Sequence, residues 1–91
     1  MANVRIGPGY YKAIVYHDVD GDSHTIPVKT LVQVREVLGD YIEIGFERND
    51  AVYLIAADQK NKRLWFENKH FPQFRGKVVM MEREDFKRLR S

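Results

Sequence analysis

Residues 17 to 24 read HDVDGDSH, three aspartates at alternate positions with a histidine at each end. Carboxylates at positions one, three and five open a calcium loop, which then needs Gly at the sixth position and a bidentate Glu at the twelfth. Here the sixth residue is Ser23 and the twelfth is Lys29, so the loop is never completed. The Asp20-Gly21 pair is instead a hairpin-turn signal. A two-residue turn there pairs Val19 with Asp22, Asp18 with Ser23 and His17 with His24, and strand alternation sends Asp18 and His17 to opposite faces. The expectation is a solvated hairpin tip without a metal cluster. What remains is His17 opposite His24, the two metal candidates of the chain, as a pair that binds a transition metal or repels itself when protonated.

Catalytic constellations are missing. Asp22-Ser23-His24 has the letters of a triad, but neighbours in a strand point to opposite faces, so the base cannot reach the hydroxyl. The chain has no glycine-rich phosphate loop, paired-histidine zinc helix or nucleophile elbow. His70, between Lys69 and Phe71, stands alone as a general-base candidate. The reading is a protein that is not an enzyme and carries no cofactor.

The segment KNKRLWFENKHFPQFRGK, residues 60 to 77, interleaves six basic residues with Trp65, Phe66, Phe71 and Phe74. Aromatic faces that stack bases, beside cations that hold phosphates, bind nucleotides and single-stranded nucleic acids. Lys60, Lys62, Arg63, Trp65, Lys69, His70 and Arg75 are the candidate ligand-binding residues, the cations neutralising phosphate and the indole stacking. Core packing and a protein-contact surface are the alternatives. In RLWFE, Leu64 and Phe66 share one face and Trp65 takes the other, so at least one aromatic set is expected in the core. Tyr41 and Tyr53 are candidates for a shared sheet face that forms a homodimer contact.

These side chains must be positioned by one small domain, residues 1 to 91. With 44% hydrophobic and 31% charged residues the composition is that of a globular chain. There is no cysteine, hence no disulfide or thiol chemistry, which suits a reducing compartment. The start MANVRIGPGYY lacks a leader-like apolar core, and the longest apolar run, AVYLIAA, is too short to span a bilayer. The expectation is a cytoplasmic protein with no membrane partner. The net charge of +2 conceals an asymmetry: residues 1 to 59 hold five Lys/Arg and nine Asp/Glu, residues 60 to 91 ten and four. The basic last third can attract an anionic partner or pair with the acidic remainder.

YYKAIVYH and HTIPVK flank the Asp20-Gly21 turn as a hairpin, with Pro27 placing the second strand at an edge or bulge. Thr30 caps a helix over about 30–39, with Gln33 reaching back in a capping box and Gly39 closing it in the left-handed conformation. Leu31, Val34, Val37 and Leu38 form its apolar stripe. DYIEIGFE alternates Ile42, Ile44 and Phe46 against Tyr41, Glu43 and Gly45. AVYLIAAD reads as a central strand and RLWFE as a third, giving an antiparallel meander over residues 40 to 67. NKHFPQFRG is a loop, KVVMME a strand, and REDFKRLR a short C-terminal helix with Phe86 and Leu89 inward. The predicted fold class is α+β, one antiparallel-rich sheet of about five to six strands with one packed helix, in the order β-β-α-β-β-β-β-α.

VREVLGDYIEI, VYLIAADQKNKRLWFEN and GKVVMM together resemble a small uncharacterised family of phage, plasmid and bacterial proteins, in which a helix ends in Gly-Gly-Tyr-Ile-Glu. Leu38, Gly39, Tyr41, Ile42 and Glu43 fit that pattern, Asp40 stands in place of the second glycine, and Asp58 and Asn68 correspond to the acidic turn and later asparagine. The resemblance implies the α+β fold and a mobile-element origin, with no activity to carry over. The combined expectation is a non-enzymatic binding protein of a phage or mobile element in the bacterial host cytoplasm. It would occupy a host protein or sequester an anionic, nucleotide-like small molecule. The alternative is a single-stranded nucleic-acid or RNA-binding module using residues 60 to 77.

Overall fold

A computed structural model describes residues 9–90. Residues 1–8, most of the MANVRIGPGYY start, and Ser91 lie outside the described residues. Five strands, β1 (Tyr11–Tyr16), β2 (Ser23–Val28), β3 (Ile42–Arg48), β4 (Ala51–Ala56) and β5 (Val78–Glu82), form one antiparallel sheet in the order β2-β1-β5-β4-β3. Two helices, α1 (Leu31–Leu38) and α2 (Arg83–Arg90), complete the α+β fold expected from the sequence.

Both helices cover the same face. Val34 and Leu38 of α1 and Phe86 of α2 close over Ala13, Val15, Val28, Val52, Leu54, Ala56, Val79 and Met81. The local signals for α1 hold: Gln33 Oε1 accepts from the Thr30 N–H at 3.0 Å, and Gly39 adopts φ +80° with its N–H on the Arg35 carbonyl. Pro27 sits in β2, an edge strand, where a missing donor costs no ladder bond to a further strand.

The tight two-residue turn expected at Asp20-Gly21 is found instead at Asn49-Asp50. Asn49 and Asp50, at φ +53° and +62°, make the tight two-residue turn between β3 and β4, the twist-compatible hairpin geometry. Asp20-Gly21 instead lies in a longer connection: Tyr16 pairs with Ser23 and Val15 with His24, so His17 is not opposite His24. The His17 N–H donates to the Asp22 carbonyl at 2.8 Å, and Asp20 Oδ1 accepts from the Asp22 N–H at 3.0 Å, an Asx turn.

RLWFE is the element that falls short of a strand, contributing only an isolated antiparallel bridge between Glu67 and Arg75. The meander is completed by β5, which pairs with β4, rather than by RLWFE. β3 also breaks its own alternation. The pairing steps from Ile44–Leu54 to Phe46–Tyr53, leaving Gly45 as a bulge. One extra residue reverses the face of everything after it, so Phe46 leaves the side of Ile42 and Ile44 and joins Tyr53 on the sheet's back face. A Cβ at Gly45 would lie 2.8 Å from the Phe74 ring, so the bulge residue has to be small.

Candidate functional site

The chain between Gln59–Asn61, a single 3-10 turn, and β5 wraps from the end of the sheet across its back face. Phe71 and Phe74 bring their rings to Tyr16, Phe46 and Tyr53, with Phe46 stacked on Tyr53 at 4.3 Å between centroids and an interplanar angle of 9°. Burial, followed by the nearby Tyr53, raises the pKa of the Tyr16 phenol above its ordinary value.

Asn68, 1% exposed, holds this irregular segment in place. Its Nδ2 donates to the Tyr16 carbonyl at 2.9 Å and the Gly76 carbonyl at 3.1 Å, while its Oδ1 accepts from the His70 and Phe71 N–H groups at 2.9 and 3.1 Å. An amide has two donors and an acceptor oxygen with two lone pairs, and here all are used. Gln59 pins the segment at a second point, with Oε1 accepting from the Arg75 N–H and Nε2 donating to the Ala56 and Arg75 carbonyls.

Much of the expected ligand-binding set is absorbed by this scaffold. Lys62 is 8% exposed, and its ammonium contacts Asp40 Oδ2 at 2.6 Å and lies 5.0 Å from the Trp65 ring centroid. That pair fastens the exit of α1 to the segment, and the hydrogen bond from Lys62, then that from the Tyr41 N–H, holds the Asp40 carboxyl below its ordinary pKa. Trp65 is half-buried, with its ring against Gly76 and Gly39, so only part of the indole stays open, toward a groove that Arg63, Lys69 and Arg75 also line. Arg75 Nη1 donates to the Trp65 carbonyl at 2.9 Å and the Arg63 carbonyl at 3.3 Å, so its guanidinium organises the backbone. His70 Nε2 binds the Gly21 carbonyl and its ring meets Tyr16 edge-on, tying the hairpin tip to the segment. His70 thereby bridges the tip and the segment. Of the set Lys60, Arg63, Lys69 and His70 stay exposed, and the first three keep their charge free of any partner named above.

Tyr41 and Tyr53 do not make one surface. Tyr41 is 67% exposed with the Arg35 guanidinium 4.6 Å from its ring centroid, whereas Tyr53 is half-buried in the back-face stack. The acidic and basic parts of the chain do meet, through Lys62–Asp40, Arg83–Glu47 and Arg83–Asp50.

The side chains left outward are the ones sequence alternation marked as possible core. With Trp65 turned in, Leu64 is 98% exposed and Phe66 65% exposed. They border a groove of about 740 Å³ whose other wall is the hairpin tip, Asp18 and Val19, with Val19 itself 56% exposed. Arg63, Lys69 and Pro72 line the same groove. The signal for this was available in the RLWFE alternation, but choosing which side faced in required knowing that Gly39 and Gly76 leave room for an indole. Another groove, of about 710 Å³ at the Asn49-Asp50 end, is lined by Arg48, Tyr53 and Arg83, and there Arg83 is engaged by Glu47 and Asp50.

Among the described residues no group of three or more His, Cys, Asp or Glu side chains is arranged to hold a metal, and no helix is long and apolar enough to cross a membrane. No protein-family model matches the chain, and no curated protein or solved structure does either.

Proposed function

We propose that the protein is a non-enzymatic binding module, whose contact is the apolar knuckle of Leu64 and Phe66 with Val19 across the groove. The partner is a protein with an apolar cleft and an acidic rim, which matches the exposed cations Lys60, Arg63 and Lys69. A bacterial host protein engaged by a phage or other mobile element is the setting that the sequence resemblance suggests. The observation that carries the reading is the 98% exposure of Leu64 beside a 65% exposed Phe66 on a segment that is fixed rather than loose. Single exposed apolar residues are common; a cluster around one groove marks an interaction site. The knuckle is held by Trp65 N–H on the Lys62 carbonyl, Gly76 N–H on the Phe66 carbonyl, and Arg75 on two further carbonyls. Little conformational entropy is then lost on docking.

Purified protein used as bait in nuclease-treated bacterial lysate should retain a partner that Leu64→Ala and Phe66→Ala each release, with affinity for the isolated partner falling at least about tenfold, the scale of a buried apolar anchor. Equal retention by both variants would remove the knuckle from the contact. One observation favours a nucleic-acid reading instead: the ring of Phe66 is exposed near Arg63 and Lys69, which share its groove. In that case oligonucleotide affinity falls steeply as salt rises and nuclease strips the partner.

A further inference from the structure

The hairpin tip brings together two imidazoles that strand pairing alone would not. His24 is opposite Val15, and His17 lies two residues further along β1's path, a diagonal relation. Diagonal side chains are still within reach of long or aromatic groups, and here His17 Nε2 and His24 Nδ1 come to 3.0 Å, with ring centroids 4.9 Å apart and an interplanar angle of 26°. The two nitrogens therefore face each other across the tip.

We infer that His17 Nε2 and His24 Nδ1 form a bidentate site for a divalent late transition metal, of the Cu²⁺ or Zn²⁺ class. Imidazole nitrogen is a ligand of choice for these ions. A metal–nitrogen bond of about 2.0–2.1 Å puts two neighbouring ligand nitrogens about 2.9 Å apart at a right angle and about 3.3 Å apart in a tetrahedron. The observed 3.0 Å falls between these values. Without metal, the two nitrogens share a hydrogen bond, one ring donating N–H to the other, and a chelated ion would sit to one side of the line between them. Metal binding moves that proton to the donor ring's remote nitrogen, so His17 becomes the Nδ1–H tautomer and His24 the Nε2–H tautomer, with no change in the proton count of a neutral pair. Two protein ligands leave the other coordination positions to water, which makes this a site of modest affinity. The chelate also closes the base of the loop whose Asp18 and Val19 form one wall of the groove.

His70 supplies an internal control. It is the chain's third histidine, lies near the same tip, and is engaged by the Gly21 carbonyl. Titrating Zn²⁺ into the whole protein while recording long-range ¹H–¹⁵N spectra of the imidazoles should shift His17 Nε2 and His24 Nδ1 together, and His70 not at all. Copper affinity measured calorimetrically should fall at least tenfold in His17→Ala and in His24→Ala. His17→Gln provides a second variant that keeps a polar side chain at the tip. Unmoved His17 and His24 resonances at millimolar zinc, or copper binding that survives either single alanine variant, would overturn the site.

Discussion

The two faces of the sheet are closed by opposite means. The helix face is sealed by repeating structure: aliphatic side chains on alternate strand positions meet Val34, Leu38 and Phe86, and any one contact is backed by many others. The back face is covered by an irregular segment whose aromatic rings are large, but whose backbone depends on a few polar side chains, chiefly Asn68 and Gln59. Regular elements satisfy their own hydrogen bonds; a loop laid on a core must find partners from elsewhere. This molecule places its candidate contact surface on the second kind of cover.

If that contrast holds, a single amide should matter as much as a core aliphatic. Asn68→Ala leaves two carbonyls and two N–H groups short of a partner and should cost about 3 kcal/mol, comparable to truncating the fully buried Leu54. For a domain of this size it corresponds to a melting temperature lower by about 15 °C. Hydrogen exchange resolves the location: the amides of His70 and Phe71 should lose protection while those of β4 keep theirs relative to the lowered global stability. A loss of less than about 1 kcal/mol would show that the aromatic rings hold the cover without the pin.

A smaller effect tests the seam between β3 and the cover. Gly45→Ala forces a methyl group toward Phe74 at 2.8 Å and Ile55 at 3.2 Å, and should destabilise by about 1–2 kcal/mol, the range of a modest overpacking. Phe74→Leu, which vacates part of that space, should recover some of the loss when combined with it. Additive losses in the double variant would place the strain elsewhere.

The smallest effect concerns the fastening at the edge of the segment. Asp40 has its pKa lowered in the folded state by Lys62 and the Tyr41 N–H. A carboxyl with a depressed folded pKa contributes stability above its unfolded value and loses it as pH falls through the folded one. Urea midpoints of the parent and Asp40→Asn should therefore differ most at neutral pH and converge below about pH 4. A gap that persists in strong acid would mean that side-chain shape, not charge, secures the joint.

The same contrast separates what could be read from the sequence from what could not. α1 was legible because Thr30, Gln33, Leu31, Val34, Leu38 and Gly39 each obey a local rule. The back face obeys long-range ones. Gly45 looked like a small residue on the polar side of a strand, although a glycine inside a strand pattern is itself a bulge signal. Lys62 was read as a free cation, but its ammonium pairs with Asp40, 22 positions away. Trp65 turned inward because two glycines, at 39 and 76, face it from separate parts of the chain. The tight Asn49-Asp50 turn and the longer tip at Asp20-Gly21 illustrate the same limit: both dipeptides favour a turn, and pairing beyond the turn decides its length.

The position of β5 sets the timing of assembly. β1–β2 and β3–β4 are each local hairpins, yet they share no pairing and are joined only because β5 enters between β1 and β4. A nascent chain that has reached Lys77 holds two ribbons and no common sheet. The slow step that this topology predicts is the arrival of Val78–Glu82 between them, closing a loop back to β1 that spans most of the sequence, and such long closures lower folding rates. Until then the inner edges of both hairpins are unpaired and adhesive, so this is the interval in which the protein is most exposed to misassembly.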